Sequence, residues 1–365
     1  MPRARELGLA PGVLPTGPLN AITDVAGVRV GQVTVMEGEG ARTGVTAILA
    51  HGENPFTHRV PAGVFAFNGF GKMAGVTQLQ ELGELETPIL LTNTLAVGRA
   101  VEALVDWTLA LPGNEAVRSV NAVVGETNDG RLNDIRARGV TAEHMRTALA
   151  SAVGGPVAEG SVGAGTGTMA FGWKGGIGTS SRLLPAALGG FTVGALVQAN
   201  YGGTLMMDGI PVGQRLGKYY LAEHVAAARA GEATQADADG SVVVVLATDA
   251  PLSDRNLQRL ARRAMGGIAR TGAAFSDGSG DYAIAFATHP DVIRTPERRA
   301  GAAAFADWPN DRMSPLFVAA IEVTEEAVLN ALTMASTVDS RIGGKRAVGR
   351  ALPLDRLAEI IAARR

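Results

Sequence analysis

The sequence predicts a mixed α/β protein, because short apolar runs of strand type alternate along the chain with amphipathic runs of helical spacing. Glycine bounds many of the apolar runs and makes up 48 of the 365 residues, as expected where many tight turns join short elements. No linker or fixed-period repeat divides the chain. The length alone would allow two domains, but these observations favour one layered body over residues 1–365.

The predicted strands are short and apolar. Residues 28–35 (VRVGQVTV) alternate apolar with small or polar positions, the pattern of a strand with one buried face. Residues 242–247 (VVVVLA) form an unbroken apolar run, the pattern of a strand that is buried on both faces. The other predicted strands are residues 64–67, 88–91, 120–124, 169–171, 191–197 and 284–287.

Helices are predicted between these strands. Residues 97–111 place apolar side chains at helical spacing and are followed by Pro112-Gly113, which ends a helix. Thr141 and Asp254 are suitable caps for helices over residues 141–153 and 255–269. Further helices are expected over residues 216–230 and 325–336, the last followed by a basic, partly helical tail. Residues 231–240 (GEATQADADG) lack bulky apolar groups and predict a flexible exposed loop.

Composition excludes several classes of partner and location. With 33 basic and 35 acidic residues, the net charge of −2 offers no surplus for nucleic acid or an anionic membrane. The chain has no cysteine, and its five histidines lack metal-site spacing, so no metal is expected. The sequence contains neither a secretory-signal pattern nor an apolar run long enough to cross a bilayer. A cytoplasmic location is the resulting expectation.

The glycine-rich segment 160–167 (GSVGAGTG) does not match a nucleotide-binding motif. Its spacing is neither that of a dinucleotide fingerprint nor that of a P-loop. We interpret its glycines as positions of tight turns and close packing, and expect no cofactor. The G-x-S-x-G elbow of α/β-hydrolases is also missing.

The junction Asp239-Gly240-Ser241 places a hydroxyl residue after glycine, at the start of the predicted buried strand. Glycine leaves its carbonyl carbon sterically open, so the Ser241 hydroxyl could attack it and cut the chain. Cleavage would free an α-amine, whose ordinary pKa of about 7.7–8.0 suits it to accept the proton of its own hydroxyl. An ordinary loop ending in serine would show the same sequence.

Three further segments carry candidate polar groups. Ser279 and Asp281, in DGSGDY, stand two apart in a predicted turn and could face one pocket. Glu126 follows an apolar strand, where a carboxylate could receive an ammonium group. Asn200 lies at the end of another strand, where its amide could donate to an oxyanion. Each segment also fits a simple capped turn.

Taken together, the order and spacing of these segments resemble the family of L-aminopeptidases/D-esterases/amidases, which includes the β-peptidyl aminopeptidases. The matching stretches span nearly the whole chain: NAITDVAGVRVGQVT, TPILLTNTLAVG, VVGETNDGRLND, GSVGAGTGTMAFGWKGGIGTSSR, VGALVQANYG, DGSVVVVLATDAPL and RLARRAMGGIARTGAAFSDGSGD. Some family members have glutamate at the position of Asp281 and an aromatic residue at that of Asn128.

The resemblance implies a four-layer α-β-β-α sandwich, like that of N-terminal nucleophile hydrolases but differently connected. It implies a precursor that cuts itself at Gly240–Ser241 into residues 1–240 and 241–365, and homo-oligomers of the cleaved pair. By position, Ser241 would be the nucleophile, Ser279 and Asp281 would hold its α-amine and hydroxyl, Asn200 would form part of the oxyanion hole, and Glu126 would bind the substrate's amino group. Substrates would be small peptides, amides or esters.

Two alternatives remain at this stage. Ornithine acetyltransferases are similar in architecture and also cut themselves, but they use threonine as nucleophile, whereas this chain has serine and an ETNDG segment. The other alternative is a binding or scaffold protein of the same fold that never processes itself.

Overall fold

The computed structural model describes residues 1–230 and 240–363. Their strands are β1 (Arg29–Glu37), β2 (Ala41–Leu49), β3 (Val60–Gly69), β4 (Glu84–Leu85), β5 (Ile89–Asn93), β6 (Val123–Thr127), β7 (Met169–Ala170), β8 (Trp173–Lys174), β9 (Gly176–Leu183), β10 (Thr192–Asn200), β11 (Ser241–Thr248), β12 (Gly280–Ala287), β13 (Val338–Ile342) and β14 (Lys345–Gly349). Their helices are α1 (Val76–Glu81), α2 (Val97–Leu109), α3 (Ala142–Ala150), α4 (Val212–Arg215), α5 (Ala222–Ala230), α6 (Asp254–Arg270), α7 (Pro296–Arg299), α8 (Ser314–Thr333) and α9 (Leu354–Ala362).

Two stacked sheets form the centre of the fold. The first has the strand order β1-β2-β5-β6 and the second β4-β3-β12-β11-β10-β9. Apolar side chains from both sheets, among them Ile89, Val123, Val243 and Phe286, share one buried cluster. Helices α2 and α3 cover the outer face of the first sheet, and α6 and α8 cover that of the second. The layers therefore follow the predicted α-β-β-α order.

Several predicted elements differ in extent from those observed. The helix expected over residues 325–336 begins earlier, at Ser314. The helix expected over residues 216–230 is α5 alone, because residues 216–221 form a turn after the short helix α4. The strand expected at 120–124 is β6, which begins and ends three residues later. No strand was predicted at the positions of β2, β4, β8, β9, β13 and β14. Of the predicted loop over residues 231–240, residues 231–239 lie outside the described residues.

The glycine-rich segment 160–167 is a close-packing element, as interpreted from the sequence. An ideal Cβ at Gly165 would lie 2.4 Å from the backbone nitrogen of Ile177, and one at Gly167 would lie 2.1 Å from the carbonyl oxygen of Arg42. Any side chain at these positions would collide with neighbouring backbone, because real Cβ atoms do not approach so closely. The glycines thus allow this segment to pass between the two sheets.

A buried ion cluster joins the start of the chain to helix α8. It consists of Arg182, Glu322, Glu326 and Arg5, and we call it the Arg182 cluster. The Arg182 side chain is fully buried and lies 2.9 Å from a Glu322 oxygen and 2.7 Å from a Glu326 oxygen. Arg5 pairs with the second oxygen of Glu326 at 2.8 Å. Glu322 also accepts hydrogen bonds from the backbone N–H groups of Val13 and Leu14.

No helix in the described part of the chain is long and apolar enough to cross a bilayer.

Candidate active site

Three adjacent strands of the six-stranded sheet bring four of the predicted residues to one edge. Ser241 begins β11 and pairs with Asn200, the last residue of β10. On its other side Ser241 pairs with Gly280, the first residue of the parallel strand β12. Gly280 lies between Ser279 and Asp281, so both are one residue from the partner of Ser241. Residues far apart in sequence thus meet where β11 begins.

The Ser241 hydroxyl faces the space between the sheets. Side chains alternate along a strand, and Val243 and Val245 of β11 belong to the cluster between the sheets. Ser241 Oγ accepts a hydrogen bond of 3.2 Å from the backbone N–H of Gly280, and the residue is only 5% exposed. An ideal Cβ on Gly240 would lie 2.7 Å from Cα of Tyr201. The residue before Ser241 must therefore be glycine.

Asn200 presents its side-chain amide in a fixed orientation. Its Oδ1 accepts a hydrogen bond of 2.9 Å from the backbone N–H of Met169. Its Nδ2 donates to the carbonyl oxygen of Asn128 at 3.1 Å. Among the described residues, Nδ2 has this one acceptor, and because an amide nitrogen carries two hydrogens, the second hydrogen can serve another acceptor. A preoriented donor beside a nucleophile is what stabilisation of an oxyanion requires.

Ser279 and Asp281 form a buried pair. The Ser279 hydroxyl donates to Asp281 Oδ2 at 2.6 Å, and Asn68 Nδ2 donates to Ser279 Oγ at 3.1 Å. Burial raises the pKa of Asp281 from its ordinary value of 3.8 to about 6, and the hydrogen bond from Ser279 opposes the rise. At neutral pH the carboxylate is therefore charged but close to its titration range.

The Ser279–Asp281 pair flanks the backbone of Ser241 rather than its hydroxyl. Asp281 shares its strand face with Ala283 and Ala285, which belong to the cluster beneath the helices. That face is opposite to the one from which the Ser241 hydroxyl projects. The predicted turn around these residues is also partly strand, because β12 begins at Gly280.

Glu126 belongs to the facing sheet. It lies inside β6, not just after it as predicted. Next to it, an ideal Cβ on Gly125 would lie 3.0 Å from Val243 Cγ1, so β6 crosses directly over β11. One Glu126 oxygen accepts a hydrogen bond of 3.0 Å from the backbone N–H of Lys72, and the other accepts one from the Thr94 hydroxyl. Both of these donors are neutral, which leaves the carboxylate able to bind a cation.

A second buried acid follows closely in the same segment. Burial raises the pKa of Asp129 to about 6, although hydrogen bonds from Thr43 and Asn133 oppose the rise. Burial also lowers the pKa of Lys174 to about 7, and its ammonium group donates to the carbonyl oxygens of Gly165 and Gly175 at 2.7 and 3.0 Å. These groups hold the turn after β6 against the glycine-rich segment.

The groups that hold the predicted side chains in place could not be predicted from the sequence. Asn68, Lys72 and Thr94 lie in segments that read as plain turns or strand ends. No motif marks a backbone N–H or a lone threonine as a partner of Glu126. Within residues 1–230 and 240–363, no cluster of three or more His, Asp or Glu side chains is arranged to hold a metal ion.

Comparison with known proteins places the chain in a family. The model of peptidase family S58 matches residues 20–346. A beta-peptidyl aminopeptidase, BapA, from Sphingosinicella microcystinivorans is 42% identical over 349 residues, which cover 92% of this chain and 87% of that protein. The match extends through the candidate site and most of both chains.

Two solved structures share the fold. The beta-aminopeptidase of a Burkholderia species has a TM-score of 0.86 at 42% identity, covering 99% of each chain. The L-aminopeptidase D-Ala-esterase/amidase of Ochrobactrum anthropi, a prototype serine aminopeptidase with a variant Ntn hydrolase fold, has a TM-score of 0.88 at 38% identity, covering 100% of this chain and 99% of that one. The fold and the relationship predicted from the sequence are confirmed. The chain therefore belongs to peptidase family S58 and is a peptide-bond hydrolase of the serine aminopeptidase type.

Proposed function

We propose that this aminopeptidase cuts its own chain at Gly240–Ser241 and then releases the first residue of small peptides, amides or esters through an acyl-enzyme on Ser241. The observation that carries the proposal is the position of Ser241. It begins a strand that is buried throughout, after a glycine that cannot be replaced and beside the free amide hydrogen of Asn200. A rigid strand fixes a nucleophile better than a loop does.

Self-cleavage uses the hydroxyl of Ser241 against the carbonyl carbon of Gly240. The C–O bond forms as the C–N bond breaks, and the proton of the hydroxyl passes to the departing nitrogen, which becomes the α-amine of Ser241. Water then hydrolyses the resulting ester and leaves a carboxylate on Gly240. The products are residues 1–240 and 241–365, held together by the shared sheets.

In the cleaved protein the same hydroxyl attacks the first carbonyl of the substrate. The α-amine of Ser241 accepts the hydroxyl proton and gives it to the leaving group, because its ordinary pKa lies near neutrality. Asn200 donates its free amide hydrogen to the oxyanion. Water then releases the amino acid from the ester. The Ser279–Asp281 pair flanks the Ser241 backbone, so its proposed role is to orient and polarise the α-amine, and through it the hydroxyl.

Glu126 determines that cleavage occurs at the amino terminus. Glu126 lies in the sheet that faces Ser241, and among the described residues its carboxylate accepts hydrogen bonds from two neutral donors, the backbone N–H of Lys72 and the Thr94 hydroxyl. A substrate's free ammonium group supplies the missing positive charge, and a charge-assisted hydrogen bond of this kind is stronger than a neutral one. The distance from Glu126 to Ser241 then fixes which amide bond reaches the nucleophile. A homo-oligomer and a cytoplasmic location remain predictions.

The direct test is the variant Ser241→Ala. We expect it to fold, to run as one band at the full 37.5 kDa, and to hydrolyse an aminoacyl p-nitroanilide at least about 10³-fold more slowly than wild type. Mass spectrometry of active wild-type protein should find a chain that begins at Ser241. The control is Ser151→Ala, at the end of α3, which should be cut and remain active. An uncut but active wild type, or an active Ser241→Ala, would contradict the proposal.

A further inference from the structure

A cavity of about 660 Å³ opens beside Asn200. Its walls come from the end of β10, the turn after β6, the segment 169–172 and residues 217–224. Asn128 and Asn200, which are hydrogen-bonded to each other, both line it, whereas Glu126 and Ser241 do not. The volume falls within the range of about 300–1,000 Å³ typical of small-molecule sites. The cavity therefore adjoins the proposed oxyanion hole but is separate from the proposed amine site.

Two basic side chains, those of Arg131 and Lys218, line this cavity. Neither Arg131 nor Lys218 makes an ion pair within residues 1–230 and 240–363. Glu223 is the acidic residue among the described residues of the lining. The positive charges of Arg131 and Lys218 can therefore neutralise the carboxylate of a bound ligand.

Lys218 is held in place by its surroundings. Its ammonium nitrogen lies 4.0 Å from the centroid of the Trp173 ring. Its stem lies over Gly172, where an ideal Cβ would be 2.6 Å from Lys218 Cε. Partial burial and the nearby Arg350 lower the pKa of Lys218 from its ordinary value. A cation that is partly desolvated and fixed in this way is suited to bind an anion.

The order of Glu126, Ser241 and Asn200 indicates which half of the substrate the cavity binds. On the proposed function, Glu126 binds the amino group, and Ser241 and Asn200 surround the carbonyl carbon. The leaving group must then extend past Asn200, away from Glu126, and the cavity begins at Asn200. Phe171, Tyr219 and Tyr220 provide aromatic walls there, which suit the apolar part of an amino-acid side chain.

We infer that this cavity binds the leaving-group half of the substrate, and that Lys218 and Arg131 bind its free α-carboxylate. The favoured substrates are then dipeptides and other short peptides with an unblocked carboxyl terminus, rather than amides or long chains. This inference rests on the proposed function and adds a specificity for the far end of the substrate.

The test compares a dipeptide with its own C-terminal amide. The first residue is the aminoacyl group that wild type releases best from a p-nitroanilide, and the second is leucine or leucinamide. We expect wild type to prefer the free acid by about tenfold or more in kcat/KM, as for a hydrogen-bonded charge. In Lys218→Met this ratio should fall about threefold, chiefly through KM for the acid, and in the double variant with Arg131→Met it should fall to about one. Lys345→Met, an exposed lysine in β14, is the matched control and should keep the wild-type ratio.

Two results would overturn the inference while leaving the proposed function intact. One is normal hydrolysis of the p-nitroanilide with a ratio of acid to amide that does not depend on Lys218. The other is a Lys218→Met variant that changes the preference among aminoacyl groups, because the cavity would then hold the residue that is released. Failure of wild type to hydrolyse any of these substrates would instead refute the proposed function itself.

Discussion

Two buried polar clusters lie at opposite ends of strand β10, and they compensate buried negative charge in different ways. Arg182 pairs in register with Val193 near the start of the strand, and Ser241 pairs with Asn200 at its end. The two positions are seven residues apart along the strand, about 23 Å at about 3.3 Å per residue. Both clusters place carboxylates out of contact with water.

The difference lies in what compensates the negative charge. In the Arg182 cluster, Glu322 and Glu326 each lie against the guanidinium of Arg182, and Glu326 contacts Arg5 as well. In the candidate active site, Asp281 and Glu126 receive hydrogen bonds from hydroxyl or backbone N–H groups, which are neutral. Removing one partner of a buried ion pair leaves the other charge uncompensated and destabilises the fold. Carboxylates held by neutral donors, in contrast, remain available to a substrate. The first cluster thus neutralises its own charges, whereas the second leaves its carboxylates without a paired cation, as the proposed function requires.

The largest effect is expected from breaking the Arg182 cluster. Arg182→Met would leave Glu322 and Glu326 buried without their shared cation, and such a loss costs about 3–5 kcal/mol of unfolding free energy. Chemical denaturation followed by circular dichroism measures it. The control is Arg146→Met, which removes the exposed pair with Glu143 and should cost less than about 0.5 kcal/mol. Equal effects of the two variants would show that the Arg182 cluster does not stabilise the fold.

A smaller effect, on activity and not on folding, is expected from Glu126→Gln. The amide keeps a similar shape but cannot pair with an ammonium group, so kcat/KM for substrates with a free amine should fall about 100-fold, the loss of a charge-assisted contact of about 3 kcal/mol. Esters with a blocked amine should lose much less. The denaturation midpoint should stay within error of wild type. Equal losses on both kinds of substrate would remove the proposed role of Glu126.

The most specific effect concerns Asp281 and pH. Because folding raises its pKa from 3.8 to about 6, the folded protein holds this proton more tightly than the unfolded chain does. The group therefore adds stability below about pH 4, and the contribution is lost as the pH rises to about 6. Activity should change in the opposite direction, with kcat/KM falling about tenfold per pH unit below pH 6, because a protonated Asp281 cannot polarise the α-amine.

Asp281→Asn provides the reference for this measurement. Its denaturation midpoint, subtracted from that of wild type at each pH, isolates the contribution of the one carboxylate. The difference should decline between pH 4 and 6 and stay constant above that range. A flat difference would mean that the pKa of Asp281 is close to its ordinary value in the folded protein.

The sequence predicted the parts of this molecule whose pattern is local. The run VVVVLA predicts β11, because an unbroken apolar strand can only be buried. Pro112-Gly113 likewise ends the predicted helix close to the end of α2. Strand β9 (GIGTSSRL) gave no such signal, although seven of its eight residues are buried. Its polar side chains are satisfied by distant groups, such as the carbonyl oxygen of Val323 for Ser180. Such partners are set by tertiary packing and leave no local pattern.

The candidate site likewise combines features that the sequence predicts with features that it does not predict. Ser241, Asn200, Ser279, Asp281 and Glu126 could be selected because their segments match the family's motifs in order and spacing. Their relative positions could not be predicted, because these depend on strand register. The opposite orientations of Ser241 and Asp281 are visible only once the pairing of β11 with β12 is known. Lys218 carries no motif at all, and only the cavity around it suggests a role.

The strand order of the larger sheet has one more consequence. β11 and β12 lie side by side in its centre, between β3 and β10, and these flanking strands precede position 240 while β11 and β12 follow it. In the cleaved protein that we propose, the shorter fragment would have a strand of the longer fragment on each side, and its release would break two rows of backbone hydrogen bonds. The two fragments would therefore stay together on dilution, and two preparations of the cleaved protein would not exchange fragments when mixed.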